Sequence, residues 1–293
     1  MGKKILVTGA NGQLGSEIAE LAPGFEVFDF TFIDQELLDL SNMEAIGNYF
    51  ETNQFDVIIN TAAYTAVDKA EEDTTLAKVV NKEAVKKLAE IAKESGTQLI
   101  HISTDYVFDG KNYKPYIESD PTNPKGVYGK TKRDGENEML ALNPVNSVII
   151  RTSWLYSSFG GNFVKTMLRL GEERDELGII FDQVGTPTYA KDLATVILNG
   201  IYDSKFNSEG CKVYHYSNEG VCSWYDFAKT IFELSKISCI VHAIETKDYA
   251  TLAKRPYYSV LNKAKIKSEL KISIPYWKDS LKECLTKIQK DRK

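Results

Sequence analysis

The chain has 293 residues, of which 43% are hydrophobic and 26% are charged, and its formal net charge is −5 at pH 7. This length and composition allow one large hydrophobic core and a smaller appended lobe. The acidic balance provides no basic field for nucleic acid or an anionic membrane surface, and no apolar run approaches the roughly 20 residues of a membrane span. We therefore predict a protein that binds neither nucleic acid nor membrane, and we expect it in the cytoplasm.

The four cysteines agree with that location. Cys211, Cys222, Cys239 and Cys284 form no C-x-x-C pair, and no histidine stands at zinc-finger spacing from them. Such usage indicates neither a disulfide framework nor a structural zinc site. We expect reduced, mostly buried thiols.

Short apolar runs alternate with amphipathic segments through the first two thirds of the chain. The predicted strands are residues 4–8, 25–33, 57–61, 99–103 and 148–152. Their lengths and bounding segments are typical of buried strands. Alternating strands and helices predict an α/β fold with a doubly wound parallel sheet of the Rossmann type.

The first predicted strand runs into a loop with the pattern G-x-x-G-x-x-G. Glycines permit the tight turn and bring the backbone close to a pyrophosphate, while the N-terminus of the following helix offers free N–H groups to the anion. Any tight strand-to-helix turn can carry glycine, but the position after the first strand of a βαβ chain favours a dinucleotide-binding loop. The loop residues assigned to the cofactor are Gly9, Asn11, Gly12, Gln13, Leu14 and Gly15.

The adenine ribose is expected at the end of the second strand, where a carboxylate can accept hydrogen bonds from its hydroxyls. Asp29, Asp34 and Asp39 are candidates, and Asp34 stands at the predicted strand end. From these residues alone Asp34 favours NAD(H), since no arginine lies nearby to hold a 2′-phosphate.

Three later residues form the predicted reaction centre. Thr104 ends a central strand, where its hydroxyl can hold a substrate carbonyl or simply cap the strand. Tyr128 and Lys132 are four residues apart in a predicted helix and share one face. A nearby ammonium favours the phenolate and so makes tyrosine a usable acid–base group, and the pair predicts proton transfer coupled to hydride transfer.

Beyond about residue 155 the regular alternation fades, and glycine and proline punctuate a mixed region. We predict an NAD(P)-binding Rossmann domain over residues 1–155, with the last sheet elements contributed from about residues 185–215. A smaller mixed α/β substrate-binding lobe is predicted over residues 156–293, interleaved with the sheet.

Eight segments along nearly the whole chain carry a family resemblance. They are residues 7–15, 60–71, 103–110, 128–132, 151–156, 162–164, 182–188 and 255–256. They resemble the extended short-chain dehydrogenase/reductases and, within these, the dTDP-4-dehydrorhamnose reductase family. The resemblance implies reduction of the 4-keto group of dTDP-4-dehydro-6-deoxy-L-mannose to dTDP-L-rhamnose, a step of polysaccharide biosynthesis.

The resemblance also assigns residues. Tyr128 would donate the proton, Lys132 would tune it and Thr104 would hold the carbonyl. It adds a set of cofactor contacts, which are Asp39, Leu40, Ala62, Ala63 and Tyr64. It implies that Val67, Asp105, Tyr106 and Trp154 contact the sugar, with Gln183 and Arg255 nearer the nucleotide. Trp154 could instead be a core residue.

The resemblance implies NADPH as cofactor, with NADH as an alternative, so Asp34 does not decide the coenzyme. Some family members dimerise around Mg²⁺ through acidic side chains, but Lys191 stands at one of those places here. We therefore predict no metal site, and a monomer or homodimer.

Three other functions compete with reduction. A dehydratase is disfavoured because Tyr106 stands where related dehydratases have a glutamate. A 4-epimerase, which uses the same tyrosine and lysine, stays open. So does a non-catalytic dinucleotide-binding subunit resembling the regulatory subunit of methionine adenosyltransferase, although intact Thr104, Tyr128 and Lys132 argue against it.

Overall fold

The structure is a computed structural model that describes residues 2–291, and its centre is a six-stranded parallel sheet. The strands in chain order are β1 (Lys3–Thr8), β2 (Phe28–Ile33), β3 (Val57–Asn60), β4 (Gln98–Thr104), β5 (Val148–Thr152), β6 (Leu155–Tyr156), β7 (Glu176–Ile180), β8 (Val184–Gly185), β9 (Thr188–Tyr189), β10 (Lys212–His215), β11 (Cys222–Ser223) and β12 (Ile240–Ile244). The central sheet has the order β2-β1-β3-β4-β5-β10. The predicted parallel sheet is confirmed.

Eleven helices surround the strands in the described residues. They are α1 (Gln13–Leu21), α2 (Met43–Thr52), α3 (Val67–Ala70), α4 (Thr74–Lys78), α5 (Ala84–Ser95), α6 (Val127–Leu142), α7 (Phe163–Glu173), α8 (Ala190–Tyr202), α9 (Trp224–Ser235), α10 (Ala264–Leu270) and α11 (Trp277–Asp291). None of them is both long and apolar enough to cross a membrane.

The central strands are apolar on both faces because helices cover both sides of the sheet. On one face, Val7 and Ile59 pack with Ile18 of α1 and Ile197 of α8. On the other face, Ile58 packs in a cluster with residues of α2, α5 and α6. The result is the three-layered arrangement expected of a doubly wound fold.

Strand β1 lies between β2 and β3, so the chain leaves β1 first to one side and later to the other. Open α/β sheets bind ligands at such a reversal, at the carboxyl ends of the strands. The end of β1 at Thr8 is therefore where the fold itself places a site.

The second strand is shorter than the sequence indicated, because it begins at Phe28 rather than at residue 25. Residues Ala22–Gly24 form a turn of 3-10 helix around Pro23, and the Phe28 N–H donates to the Phe25 carbonyl oxygen. The Phe25 ring stacks on Phe28, so an apolar residue that looked like part of the strand belongs to the preceding turn.

A second hydrophobic cluster lies in the later part of the chain. Phe227 of α9, Trp277 and Leu281 of α11, and Val164 of α7 are buried in it. Strands β7 and β12 pair in parallel beside α9. Between these elements the chain returns to the central sheet through α8, which packs on α1, and through β10, which pairs with β5.

A buried ion pair joins α6 to β5. The Arg151 guanidinium donates to both oxygens of Glu136, with Nη2 2.7 Å from Oε2, and the side chains are 5% and 1% exposed. Replacing Glu136 by leucine leaves a buried, unpaired guanidinium, and we expect the free energy of unfolding to fall by about 3–5 kcal/mol. Urea denaturation measures this.

The control is the exposed pair of Arg169 and Glu173 on α7. Glu173→Leu is expected to change stability by under about 1 kcal/mol. Equal losses in the two variants would contradict the account of the buried pair.

Candidate active site

A cleft of about 870 Å³ opens at the carboxyl ends of the central strands. It is lined by the glycine loop after β1, the segments after β2, β3 and β4, the start of α6 and the segment after β5. Most of the site residues predicted from the sequence line it together. They are Gly9, Gly12, Gln13, Leu14, Asp34, Asp39, Leu40, Ala62, Ala63, Tyr64, Val67, Thr104, Asp105, Tyr106, Tyr128, Lys132 and Trp154.

The glycine loop has no room for side chains at two positions. Gly9 has a φ of +67°, and a Cβ there would lie 2.8 Å from the Ala62 nitrogen. A Cβ on Gly15 would lie 2.3 Å from the Gly9 carbonyl oxygen. The loop therefore packs tightly against the start of α1 and the end of β3, which is the packing that a dinucleotide-binding loop requires.

The Asp34 carboxylate is bound by backbone N–H groups. Oδ2 accepts from the Asn11 N–H at 2.8 Å, and Oδ1 accepts from the Gln35 N–H at 2.7 Å. Asp34 thus ties the end of β2 to the glycine loop, at the rim of the cleft. Asn11 and Gly15 support the loop without lining the cleft.

Thr104 and Tyr128 lie side by side in the cleft. Thr104 Oγ1 lies 3.0 Å from Asp105 Oδ1 and accepts from the Tyr106 N–H, while the Tyr106 ring packs edge-on against Tyr128. Loss of solvent around the Tyr128 hydroxyl raises its pKa to about 12, and a hydrogen bond with Thr104 lowers it in part. Burial also raises the pKa of Asp105, to about 7, and the hydrogen bond from Thr104 lowers it in part.

Lys132 is 2% exposed and lies one helical turn after Tyr128. Its Nζ donates to the Ile102 carbonyl oxygen at 2.6 Å and lies 3.2 Å from His101 Nε2. Burial lowers the pKa of Lys132 to about 8, and the Glu136 carboxylate raises it in part. The pKa of Tyr128 is therefore raised by burial here rather than lowered as the spacing suggested. Lys130 is exposed, as its different helix face predicts.

Trp154 has a φ of +48°, which is a strained conformation for a tryptophan. Its ring stacks on Trp224 at 3.6 Å between centroids, and both rings line the cleft. The structure therefore places Trp154 at the cleft wall, where it also contacts the core of the second cluster.

Gly185 gives Trp154 its space, since a Cβ on Gly185 would lie 2.7 Å from the indole ring. We expect Gly185→Ala to reduce the free energy of unfolding by about 1–3 kcal/mol through overpacking and to change the fluorescence of the stacked pair. Urea denaturation followed by tryptophan fluorescence measures both. Gly47→Ala is the control because its Cβ would make only an ordinary 3.8 Å contact, so a similar loss there would contradict the clash.

Two predicted residues do not line the cleft. Gln183 is 2% exposed, and its Nε2 donates to Thr246 Oγ1 at 3.1 Å. Arg255 makes a two-pronged ion pair with Asp68, with Nη2 2.6 Å from Oδ2. Asp68 follows Val67 of the cleft wall, so Arg255 lies just beyond the rim.

Sequence reasoning missed several residues of the cleft wall. They include Ser41, Thr61, Gly160, Asn162 and Trp224. Thr61 Oγ1 donates to the Thr8 carbonyl oxygen at 2.7 Å, a contact that no local pattern reveals. Trp224 stands at the start of α9 far along the chain, and its aromatic character was the one available signal.

Three buried polar atoms of cleft residues have no hydrogen-bond partner among the described residues. They are Gln13 Oε1, Ser103 Oγ and Asp105 Oδ2. Buried polar atoms in native proteins are nearly always paired, so these atoms indicate ligand or water partners. Together with the side-chain-free cradle of Gly9 and Gly15, they fit a bound dinucleotide and a polar substrate.

No group of three or more metal-ligating side chains occurs within residues 2–291. Lys191 Nζ lies 2.6 Å from Glu283 Oε1 in an ion pair. The absence of a metal site stays a prediction.

The fold and the cleft define a dinucleotide-binding protein of the Rossmann class, with a polar reaction centre beside the nucleotide loop. The RmlD substrate-binding domain family matches residues 3–290, and the chain belongs to this family.

Relatives match this chain along nearly their full length. The spore coat polysaccharide biosynthesis protein SpsK of Bacillus subtilis is 41% identical, with 96% of each chain covered. A dTDP-4-dehydrorhamnose reductase of Aggregatibacter actinomycetemcomitans is 42% identical over 95% of this chain and 97% of its own. The crystal structure of the Bacillus anthracis dTDP-4-dehydrorhamnose reductase in complex with NADP has a TM-score of 0.91 and 37% identity, covering 98% of this chain and 100% of its own.

Proposed function

We propose that this protein is an NADPH-dependent dTDP-4-dehydrorhamnose reductase, which reduces the 4-keto group of dTDP-4-dehydro-6-deoxy-L-mannose to give dTDP-L-rhamnose. The observation that carries the proposal is the meeting of Thr104, Tyr128 and Lys132 with the glycine loop in one cleft. Relatives named for this reaction, matched from end to end, supply the substrate.

NADPH is the proposed cofactor, with NADH as an alternative. Gly9, Gly12, Gln13 and Leu14 would hold the pyrophosphate, and Asp39, Leu40, Ala62, Ala63 and Tyr64 would line the rest of the cofactor. The NADP complex of the Bacillus anthracis relative supports NADPH over the NAD(H) that Asp34 alone favoured. Asp34 would act mainly by ordering the loop through its bond to the Asn11 N–H.

When bound, the reduced nicotinamide supplies the hydride. Tyr128 holds the proton that the 4-oxygen needs, and Thr104 donates a hydrogen bond to the same oxygen as negative charge builds on it. A phenol with a pKa near 12 is fully protonated at neutral pH, so Tyr128 is ready to act as the acid in the direction of reduction. The ammonium of Lys132 stabilises the phenolate that remains.

The sugar would lie between the reaction centre and the later lobe, residues 156–293, which we propose binds the substrate. Asp105 Oδ2 is available to a sugar hydroxyl, and Val67, Tyr106 and Trp154 would shape the pocket. We also propose that Gln183 and Arg255 contact the nucleotide end of the substrate. To do so, Arg255 must replace its hydrogen bond to Asp68 with one to the substrate. We further propose a cytoplasmic enzyme, monomeric or homodimeric.

The test is to mix the protein with NADPH and the epimerase-generated keto sugar and to identify the product by NMR. Formation of dTDP-L-rhamnose with loss of absorbance at 340 nm is expected. Stoichiometric NAD retained through purification, with an epimerised sugar and no net NADPH oxidation, would establish the epimerase instead. Dinucleotide binding without turnover of any such sugar would favour the regulatory subunit.

A further inference from the structure

Behind Lys132, a chain of buried polar side chains crosses the central sheet. Thr8 Oγ1 lies 2.7 Å from Asn60 Oδ1, and Asn60 Nδ2 lies 3.1 Å from Nδ1 of His101. His101 Nε2 lies 3.2 Å from Lys132 Nζ. The four residues are 0–2% exposed. Burial of polar side chains in a sheet costs free energy unless they are paired, and the proposed reaction uses only the last of them.

The register of the sheet aligns these buried polar side chains. Thr8 on β1 pairs with Asn60 on β3, and Asn60 pairs with His101 on β4. The three side chains thus occupy one row across adjacent strands, and α6 brings Lys132 to the end of the row. Neighbouring rows of the same strands are apolar, as at Val7 and Ile59.

The imidazole of His101 is neutral, because burial lowers its pKa well below the ordinary value and the Lys132 ammonium lowers it further. A neutral imidazole has one N–H, so one nitrogen donates and the other accepts. An ammonium can only donate. Facing charged Lys132, His101 must accept at Nε2 and carry its proton on Nδ1, and the Asn60 amide oxygen must face that proton.

An uncharged Lys132 amine can accept as well as donate, so the roles can reverse. Nε2–H donates to Nζ, and Nδ1 accepts from Asn60 Nδ2 while Thr8 donates to Asn60 Oδ1. The amide orientation of this second arrangement is the one in the structure, where Thr8 Oγ1 donates to Asn60 Oδ1 and Asn60 Nδ2 faces His101 Nδ1. The two arrangements differ by one proton, which Lys132 gives up to solvent, and by the orientation of one imidazole proton and one amide.

We propose that His101 is a positioning residue for Lys132: its Nε2 accepts from the ammonium when Nδ1 carries the imidazole proton, and the Asn60 amide, hydrogen-bonded to Thr8, turns with the imidazole tautomer. This inference rests on the proposed function for the role of Lys132. Since His101 does not line the cleft, it acts through Lys132 and not on the substrate or cofactor.

Other ionisable groups also surround Lys132. Tyr128 and Glu136 share α6 with it, Asp105 follows β4, and Arg151 on β5 pairs with Glu136. Burial lowers the pKa of Lys132 to about 8 and Glu136 partly opposes this, so the charge of Lys132 changes in an accessible pH range.

The first test reads the tautomer directly and needs no turnover. The chain has three histidines, so ¹⁵N-histidine labelling resolves them, and His101→Gln assigns the signal of His101. We expect the Nδ1–H form at pH 6 and the Nε2–H form at pH 10, and we expect Lys132→Met to remove this pH dependence. One unchanging tautomer in the wild type, or the same switch in Lys132→Met, would overturn the proposal while leaving the reductase assignment intact.

The second test is kinetic. His101→Leu removes the acceptor that favours the charged lysine, so we expect kcat to fall about tenfold, with little change in KM, and the alkaline limb of the pH profile to move to lower pH. His101→Gln retains an acceptor and a donor and should recover part of both effects. Asn60→Asp fixes an acceptor against Nδ1–H and should move the alkaline limb to higher pH.

His242→Gln is the matched control, because His242 is exposed on β12. It should change neither the rate nor the pH profile. An unshifted alkaline limb in His101→Leu and in Asn60→Asp would reduce the row to a structural role and overturn the proposal. If His101→Leu does not fold, His101→Gln and Asn60→Asp decide the question instead. The first is expected to move the alkaline limb of the pH profile to lower pH, and the second is expected to move it to higher pH.

Discussion

Tyr128→Phe is expected to lower kcat by about a thousandfold while the protein stays folded and still binds NADPH. The substitution removes the hydroxyl that supplies the proton, and positioned acid–base groups contribute roughly 10²–10⁴-fold in rate. The ring remains to pack against Tyr106. Steady-state turnover of the keto sugar, with NADPH binding followed by fluorescence, measures the two effects separately.

The matched control is Tyr113→Phe, because Tyr113 is 82% exposed and lies away from the cleft wall. It should keep the full rate. A Tyr128→Phe protein that turned over at the wild-type rate would contradict the proton-donor role of Tyr128.

Gly15→Ala is expected to weaken NADPH binding by at least about a hundredfold. The added methyl group would lie 2.3 Å from the Gly9 carbonyl oxygen and close to the Ala10 backbone, so the loop must move away from the start of α1. Backbone cannot yield as a flexible side chain does, and the pyrophosphate depends on the loop being held in place. Isothermal titration with NADPH measures the loss.

Gly24→Ala provides the comparison, because a Cβ at Gly24 meets no atom within 4 Å. It should bind NADPH as the wild type does. Equal affinities in the Gly15 and Gly24 variants would show that the glycine loop is not the nucleotide cradle.

The sheet could be predicted because its strands are nearly continuous apolar runs. Such runs alternating with amphipathic segments are typical of a parallel sheet covered by helices and of few other folds. The proton-transfer pair could be predicted because four-residue spacing on a helix fixes a shared face whatever surrounds it. The location of Thr104 in the cleft could be predicted because it ends β4, and open α/β sheets bind ligands at the carboxyl ends of their strands. Local rules therefore specified the reaction centre.

Other parts of the site depend on contacts between distant segments. Trp154 and Trp224 stack across 70 positions of sequence, a contact that only the tertiary structure brings about. Arg255 forms an ion pair with Asp68 instead of lining the cleft, and sequence spacing cannot predict this long-range contact. His101 looked like one more residue of a buried strand, and its role emerges only when the register aligns it with Asn60 and Lys132.

The charge state of the reaction centre was also beyond sequence reasoning. The Tyr128–Lys132 spacing suggested an ammonium close enough to lower the pKa of the phenol, yet the structure holds Nζ against Ile102 and His101. Desolvation then dominates and raises the pKa of Tyr128. At neutral pH the phenol therefore holds the proton that reduction consumes, but it is a weaker acid than the spacing suggested.

The central claim is tested most directly by following the hydride itself. NADPH labelled with deuterium at C4 of the nicotinamide, in each of its two stereochemical forms, is supplied with the 4-keto sugar nucleotide, and the product is examined by NMR. The account predicts that one labelled form places one deuterium at C4 of dTDP-L-rhamnose, with one NADPH consumed for each product. A product that carries no deuterium at C4 from either form, or a sugar epimerised with no NADPH consumed, would contradict it.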